Sequence, residues 1–252
     1  MKERTHKIIP VLIITLFSST VFSQMAGNPA GVKGNGKLTL SVSGTYLNQV
    51  LVTETAVSKR ILGKCVWGAT SKIDLFITMG SVGLKMQSEE SGVSDYEDKK
   101  RFAIGFGLNV ELASRSKSSP YSIWVNAKTL RFESSGTYYI YDNTGNSEWQ
   151  SDFTYDWREA QVTLCAKYYF PTFNIYGGVL GWMLQRHDEK MELSGGQLWG
   201  PERQTYQSGM WTGALVGMEF PLPYEYSFSV EAVFFNAENY QIMVGFTQTG
   251  LQ

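Results

Sequence analysis

His187, Asp188 and Glu189 stand together in a chain that has only two histidines. An imidazole beside carboxylates is the equipment of general acid–base chemistry. The trio falls at the end of an alternating segment, where successive side chains point to opposite faces. His187 and Asp188 therefore do not share a face, and no acidic pair can be placed opposite them. Solvated residues at the mouth of a strand are the simpler reading. Cys65 and Cys165 are the two thiols. Their phases put them on opposite faces of different strands, whereas a disulfide needs Cα atoms within about 7 Å, so both are expected to be free. Gly105-Phe106-Gly107 has the first spacing of a phosphate-binding glycine loop. Such a loop needs a helix N-terminus behind it, but Leu108–Leu112 continues the alternation. Two acidic stretches (Glu89, Glu90, Asp95, Glu97 and Asp98, then Asp142, Glu148, Asp152 and Asp156) lack the spacing that would converge oxygens on calcium. No nucleophile–base–acid set, metal spacing or phosphate loop survives. The expectation is a protein without catalytic residues, metal or cofactor, and not an enzyme.

The elements that position these residues are strands. The chain of 252 residues is 43% hydrophobic and 14% aromatic but only 18% charged, against about a quarter charged in an ordinary soluble domain. Its 22 basic and 23 acidic side chains give a net charge of −1. Bulk charge therefore draws it to no polyanion, and nucleic acid is excluded as a partner on that ground. Two cysteines exclude a disulfide-built scaffold.

Residues 1–23 read as a secretory signal. Lys2, Arg4 and Lys7 precede an apolar core from Ile8 to Phe17, and Val21 and Ser23 are the small residues before a cut at Gln24. Ten residues interrupted by Pro10 are too few for a membrane helix, which takes about 20. No cysteine at the cut marks a lipoprotein. Residues 24–36 read as a flexible Gly- and Ala-rich lead and 37–252 as one domain; without the signal the chain keeps 19 basic and 22 acidic side chains, a mature net charge of −3.

That domain alternates nearly throughout. Phe102, Ile104, Phe106, Leu108, Val110 and Leu112 interleave with Ala103, Gly105, Gly107, Asn109 and Glu111; Ala160, Val162, Leu164, Ala166 and Tyr168 interleave with Glu159, Gln161, Thr163, Cys165 and Lys167. The pattern predicts ten strands, at 37–52, 60–69, 73–86, 100–113, 121–133, 157–170, 174–186, 209–220, 226–236 and 239–248. Two change phase part-way, from Ile73/Leu75/Ile77 to Val82/Leu84/Met86 and from Ile123/Val125/Ala127 to Leu130/Phe132, which predicts bulges near Gly80 and Thr129. Links at 70–72, 114–120, 171–173 and 221–225 are short, while 87–99, 134–156 and 187–208 read as long polar loops. No proline falls inside a predicted strand. The loops carry Tyr138, Tyr139, Tyr141, Trp149, Tyr155, Trp157, Trp199 and Tyr206, which either form a recognition surface or pack the loops on the rim.

The character of the polar face decides between a soluble barrel and a membrane one. A water-facing exterior would be dense in Lys and Glu. Here that face is small and sparsely charged, with Lys64, Asp74, Glu111, Lys128, Glu159, Lys167, Glu219 and Glu231. The other is aliphatic, with Tyr46, Phe102, Tyr121, Tyr168, Phe170, Tyr226 and Tyr240 towards the ends. This predicts an all-β, antiparallel up-and-down transmembrane β-barrel of ten strands, with eight as the alternative, polar inside and apolar outside. Ten strands carrying these charges inward should be nearly plugged.

On this pattern, and on the closing hairpin Tyr226–Thr247, the chain resembles the small outer-membrane β-barrels of Gram-negative-type bacteria, of the OmpA/OmpX kind. It departs at its end, where Phe246 is followed by Thr247-Gln248-Thr249-Gly250-Leu251-Gln252 in place of a terminal aromatic. No peptidoglycan-binding domain follows. The resemblance implies an outer-membrane location with both termini periplasmic, and outer-membrane lipids and the barrel-assembly machinery as partners. With no catalytic set, metal spacing or phosphate loop in the chain, its long loops rich in Tyr and Trp are expected to serve a structural or surface-interaction role, towards an extracellular ligand the sequence does not name. A narrow channel is the alternative. So is an outer-membrane hydrolase of the omptin kind, whose ten-stranded barrels pair aspartates with an Asp–His couple.

Overall fold

The computed structural model describes residues 36–51, 54–88, 94–98, 100–116, 119–141, 147–194, 197–207 and 210–251. The expected signal and all but the last residue of the lead lie outside these. The strands are β1 (Leu38–Val50), β2 (Glu54–Gly68), β3 (Ile73–Ser88), the two-residue β4 (Tyr96–Glu97), β5 (Arg101–Ala113), β6 (Tyr121–Tyr141), β7 (Ser147–Tyr169), β8 (Asn174–Ser194), β9 (Gln197–Gln207), β10 (Trp211–Leu222), β11 (Tyr226–Phe234) and β12 (Tyr240–Leu251). Every pairing is antiparallel, and the partners follow one another in sequence apart from β3 with β5, which pair past the short β4, and β1 with β12 and β8 with β10, which close the ring. β9 and β10 follow one another along the same edge of β8, β9 beside residues 185–194 and β10 beside 174–182. Together they make one stave, and the barrel has ten.

The alternation maps onto the wall as expected. Phe102 is 66% exposed and Val162 56% exposed, while their neighbours Ala103 and Thr163 are buried in the lumen. Exposed large apolar side chains recur on each of the ten staves; they need a solvent other than water, and hydrocarbon is that solvent. Closure satisfies the backbone groups that hydrocarbon cannot. On β7 the outward apolar run goes from Tyr168 to Ala160 and ends at Arg158; on β6 it goes from Tyr121 to Thr129 and ends at Arg131. Ten residues per strand, tilted by about 40°, span roughly 25 Å, the height of a lipid-facing band. At the end with the short turns, an aromatic chain runs around the outside: Tyr168 on Phe170 (4.7 Å between centroids), Phe170 on Phe173 (4.7 Å), then Phe220 and Phe228. Such a girdle belongs at a bilayer interface.

Three expectations need correcting. No bulge forms near Gly80 or Thr129; β3 stays in unbroken register with β2 and β5, and β6 with β7 across that point. The phase change is a change of solvent instead. Val82, Leu84, Met86, Leu130 and Phe132 point into the barrel, where they are buried. Within the stretches expected as loops, residues 134–141, 147–156, 187–194 and 197–207 are continuations of β6, β7, β8 and β9 into tall hairpins. Finally, Pro201 and Pro221 do lie in strands. Pro201 is on the outer edge strand β9, close to the register shift between Lys190 and Glu192. Pro221 is beyond the last β8–β10 pair, Glu219 with Asn174, so neither proline deprives a central ladder of a donor.

Candidate functional site

The lumen is where chemistry could occur, because the strand parity turns nearly all membrane-level charges into it. Lys64, Asp74, Glu111, Lys128, Glu159, Lys167, Glu219 and Glu231 all take inward positions, as the sequence predicts. One more sits among them that the sequence reading missed. Arg60, on β2, is fully buried and reaches across to Glu159 on β7, four staves away around the ring of ten. The pair is bidentate, Nη1 to Oε2 at 3.0 Å and Nη2 to Oε1 at 2.6 Å. Ser58 Oγ accepts from Arg60 Nε at 2.8 Å, and the Trp157 indole donates to Glu159 Oε1 at 2.7 Å. The predicted strand opens on Arg60 itself, six positions after Glu54, where β2 begins.

On the short-turn side of this bridge the interior is polar. Lys167 and Asn174 (Nδ2, 2.7 Å) both donate to Glu219. Lys64 lies over the Phe76 ring, 4.1 Å from its centroid. Lys64 and Lys128, with Ser43, Leu62, Phe76 and Leu130, line a cavity of about 20 Å³, room for a water molecule and no more. At the bridge and beyond it the lumen fills with carbon: Val82, Leu130, Phe132, Trp157 and Leu184 form part of one buried cluster, which Leu62 joins from the short-turn side. Above them Tyr96, from the segment between β3 and β5, packs on Tyr138 (5.4 Å) and edge-on to Tyr155 (5.8 Å). Asp98 fastens this segment, accepting from Ser134 Oγ (2.8 Å), Ser135 N (3.1 Å) and Arg101 Nε (3.1 Å). Burial pushes the Tyr96 hydroxyl up to about 12.

A second cross-lumen bridge closes the tall end. Arg186 of β8 bonds Glu54 of β2, directly across the ring, at 2.9 Å and Asp188 at 2.8 Å, and its guanidinium stacks over Tyr155 at 4.7 Å. Burial alone would lower the Arg186 guanidinium; Asp188 and Glu54 overcome that and hold it above its ordinary value. Burial likewise raises Asp188, with Arg186 opposing.

His187 lies on the other face. It points away from the lumen and meets Thr205 Oγ1 at 2.9 Å, so it shares no site with Asp188. Cys65 faces outward and Cys165 inward, and both are free. Gly105 and Gly107 are strand residues of β5. Among the aromatics assigned to loops, Tyr138, Tyr155 and Trp157 are buried inward, while Tyr139 is 41% exposed. The side chains of Tyr141, Trp149 and Trp199 lie outside the described residues, as do Glu89 and Glu90. The sequence did hold a signal for this packing. Phe153, Tyr155 and Trp157 alternate with Thr154, Asp156 and Arg158 and continue the β7 pattern.

No protein-family model and no curated relative matches the sequence. Among solved structures, the translocator domain of the autotransporter NalP from Neisseria meningitidis superposes with a TM-score of 0.51 at 11% identity, over 97% of this chain and 96% of that one. The fold is that of an outer-membrane β-barrel. The outer-membrane protease OmpT from Escherichia coli (TM-score 0.47, 11% identity, 90% of this chain and 99% of that) and the COG4313 outer-membrane channel from Pseudomonas putida F1 (0.48, 10%, 88% and 99%) share the general architecture. Identities this low speak for the fold alone.

Proposed function

We propose that this protein is a closed outer-membrane barrel, held in outer-membrane lipid with both termini periplasmic, whose role is structural or surface-interacting. The Arg60–Glu159 bridge, set against the apolar cluster of Leu62, Leu130, Phe132 and Trp157, is the observation that carries the reading. A path for ions needs a continuous polar lining, and here a carbon-filled layer with a fully desolvated ion pair interrupts it. The β6–β7 and β8–β9 hairpins, which stand well clear of the lipid band, are the surface offered to the medium, with the barrel as their anchor. Export by the signal at 1–23 and insertion by the barrel-assembly machinery belong to the same reading. Planar-bilayer recording of the pure protein tests it. The expected result is no stable open level; a persistent large conductance would replace the structural reading with the channel one.

A further inference from the structure

The outward face of the four tall strands changes character within one register row. Thr129, Ala160 and Met183 lie side by side as the last lipid-facing row. The next row is Arg131, Arg158, Gln185 and Gln207, and the one above it Glu133, Asp156, His187 and Thr205. Two arginines directly opposite one another on neighbouring strands repel, and Asp156 holds them together. Its Oδ1 accepts from Arg131 Nε at 2.8 Å, and its Oδ2 from Arg131 Nη2 at 3.1 Å, Arg158 Nε at 3.0 Å and Arg158 Nη2 at 2.5 Å. Nη1 of each arginine takes no part in this clamp, and the side chains are 54% and 45% exposed. Glu133 approaches Arg131 only at 3.6 Å and is 70% exposed. The Arg–Asp–Arg unit by itself carries one positive charge, which the exposed Glu133 beside Arg131 balances from the row above, at the level where hydrocarbon gives way to headgroups.

We propose that Arg131 and Arg158 bind the phosphate of a phosphorylated glycolipid in the leaflet on the hairpin side of the membrane. Paired planar guanidiniums suit a phosphate's oxygens better than point charges do. The uncharged remainder of the two rows, Gln185, Gln207 and Thr205, with His187, extends the polar strip by two further strands to β9, three inter-strand spacings from β6 in all, roughly 14 Å. That width exceeds a glycerophosphate headgroup and suits a sugar whose hydroxyls bond along the strip while its phosphate sits at the β6–β7 end.

Native mass spectrometry of the folded protein in detergent, with diphosphoryl lipid A as the probe, tests this. The double variant R131Q/R158Q is expected to lose about tenfold in lipid A retained. R131K/R158K, which keeps charge but not the planar fork, should fall between it and wild type. R203Q, which removes an exposed arginine two rows higher, should bind as wild type does. Heat-modifiable gel mobility checks that each variant is folded, and the lysine variant keeps the test alive if the glutamine one is not. Undiminished retention in both double variants overturns the proposal, as does an equal loss in R203Q, which would mean diffuse electrostatics. Equal retention of phosphatidylglycerol, lost equally in the variants, overturns the glycolipid assignment. Equal retention of lipid A stripped of its phosphates overturns the phosphate contact.

Discussion

Replacing Glu159 by Gln removes the carboxylate that both Nη atoms of Arg60 bond in the lumen. The side chains of Arg60 and Glu159 are 0% and 2% exposed, so neither partner can turn to water when the other is removed. Two direct hydrogen bonds weaken, and the Trp157 indole and Ser58 hydroxyl are left with altered partners. Breaking a buried pair from one side costs about 3–5 kcal/mol, whereas replacing both partners by apolar groups of similar volume is often close to neutral. We therefore expect E159Q and R60M each to be destabilised by about 3–5 kcal/mol, and R60M/E159L to lie within about 1–2 kcal/mol of wild type. Reversible unfolding in guanidinium chloride, with the barrel in detergent micelles or lipid vesicles and gel mobility as the readout, gives all four corners of the cycle. Single variants that lose less than about 1 kcal/mol, or a double variant as unstable as the sum of both, would refute the claim that this bridge is dry.

Three more expectations follow from the same structure. V162R places a charge on the lipid face near the middle of β7 and should cost about 2–4 kcal/mol in vesicle-folding equilibria, while T154R on the same face of the hairpin should stay within about 0.5 kcal/mol; equal small effects would mean that water, not lipid, surrounds residue 162. A Cβ at Gly136 would overlap the Tyr96 ring, so G136A should lose about 1–3 kcal/mol, and Y96A should abolish that loss when the two are combined. Burial by itself would raise the Asp156 carboxyl, but hydrogen bonds from Arg158 and Arg131 hold it below its ordinary 3.8. A carboxyl so lowered contributes stability above its unfolded value and loses it as pH falls through the folded one, so the Tm gap between wild type and D156N should be full near pH 6 and shrink below about pH 4; a gap that widens in acid would contradict the clamp.

The strands through the lipid were legible because two opposed solvents act on alternate residues. Between Glu159 and Tyr168 every even position faces hydrocarbon and every odd one the polar lumen, and the pattern admits no other element. Legibility failed where the outer solvent changed. At Val82 and Leu130 the apolar residues switch parity, and a bulge restores a constant pattern on paper at the cost of a register shift that the real strands do not make there. In the hairpins the period of two persists, with Tyr138, Phe153, Tyr155 and Trp157 inward. It is carried by aromatics against Thr and Asp, a composition equally suited to surface loops. Arg60 was lost for a different reason. Its meaning depends on Glu159, 99 residues away, and no local pattern announces a partner across a lumen.

The parity switch also locates the membrane. Below it a strand has lipid outside and polar groups within; above it, water outside and carbon within, as any soluble barrel would. A strand that crosses from one regime to the other must exchange which face is apolar without slipping register, because a one-residue slip would turn every side chain of the remaining strand over. Sequence can do this only by changing which parity holds the hydrophobes, as β3 does between Met79 and Val82 and β6 between Ala127 and Leu130. On β6 the outward row that follows the switch is Arg131, and its neighbour on β7 is Arg158. The lumenal seal of Leu130, Phe132 and Trp157 thus begins at the height where the outer wall turns cationic. Sealing the lumen and ending the lipid band are one event in this sequence, so a stave that lengthened its lipid-facing run by two residues would be expected to raise its share of the seal by the same two.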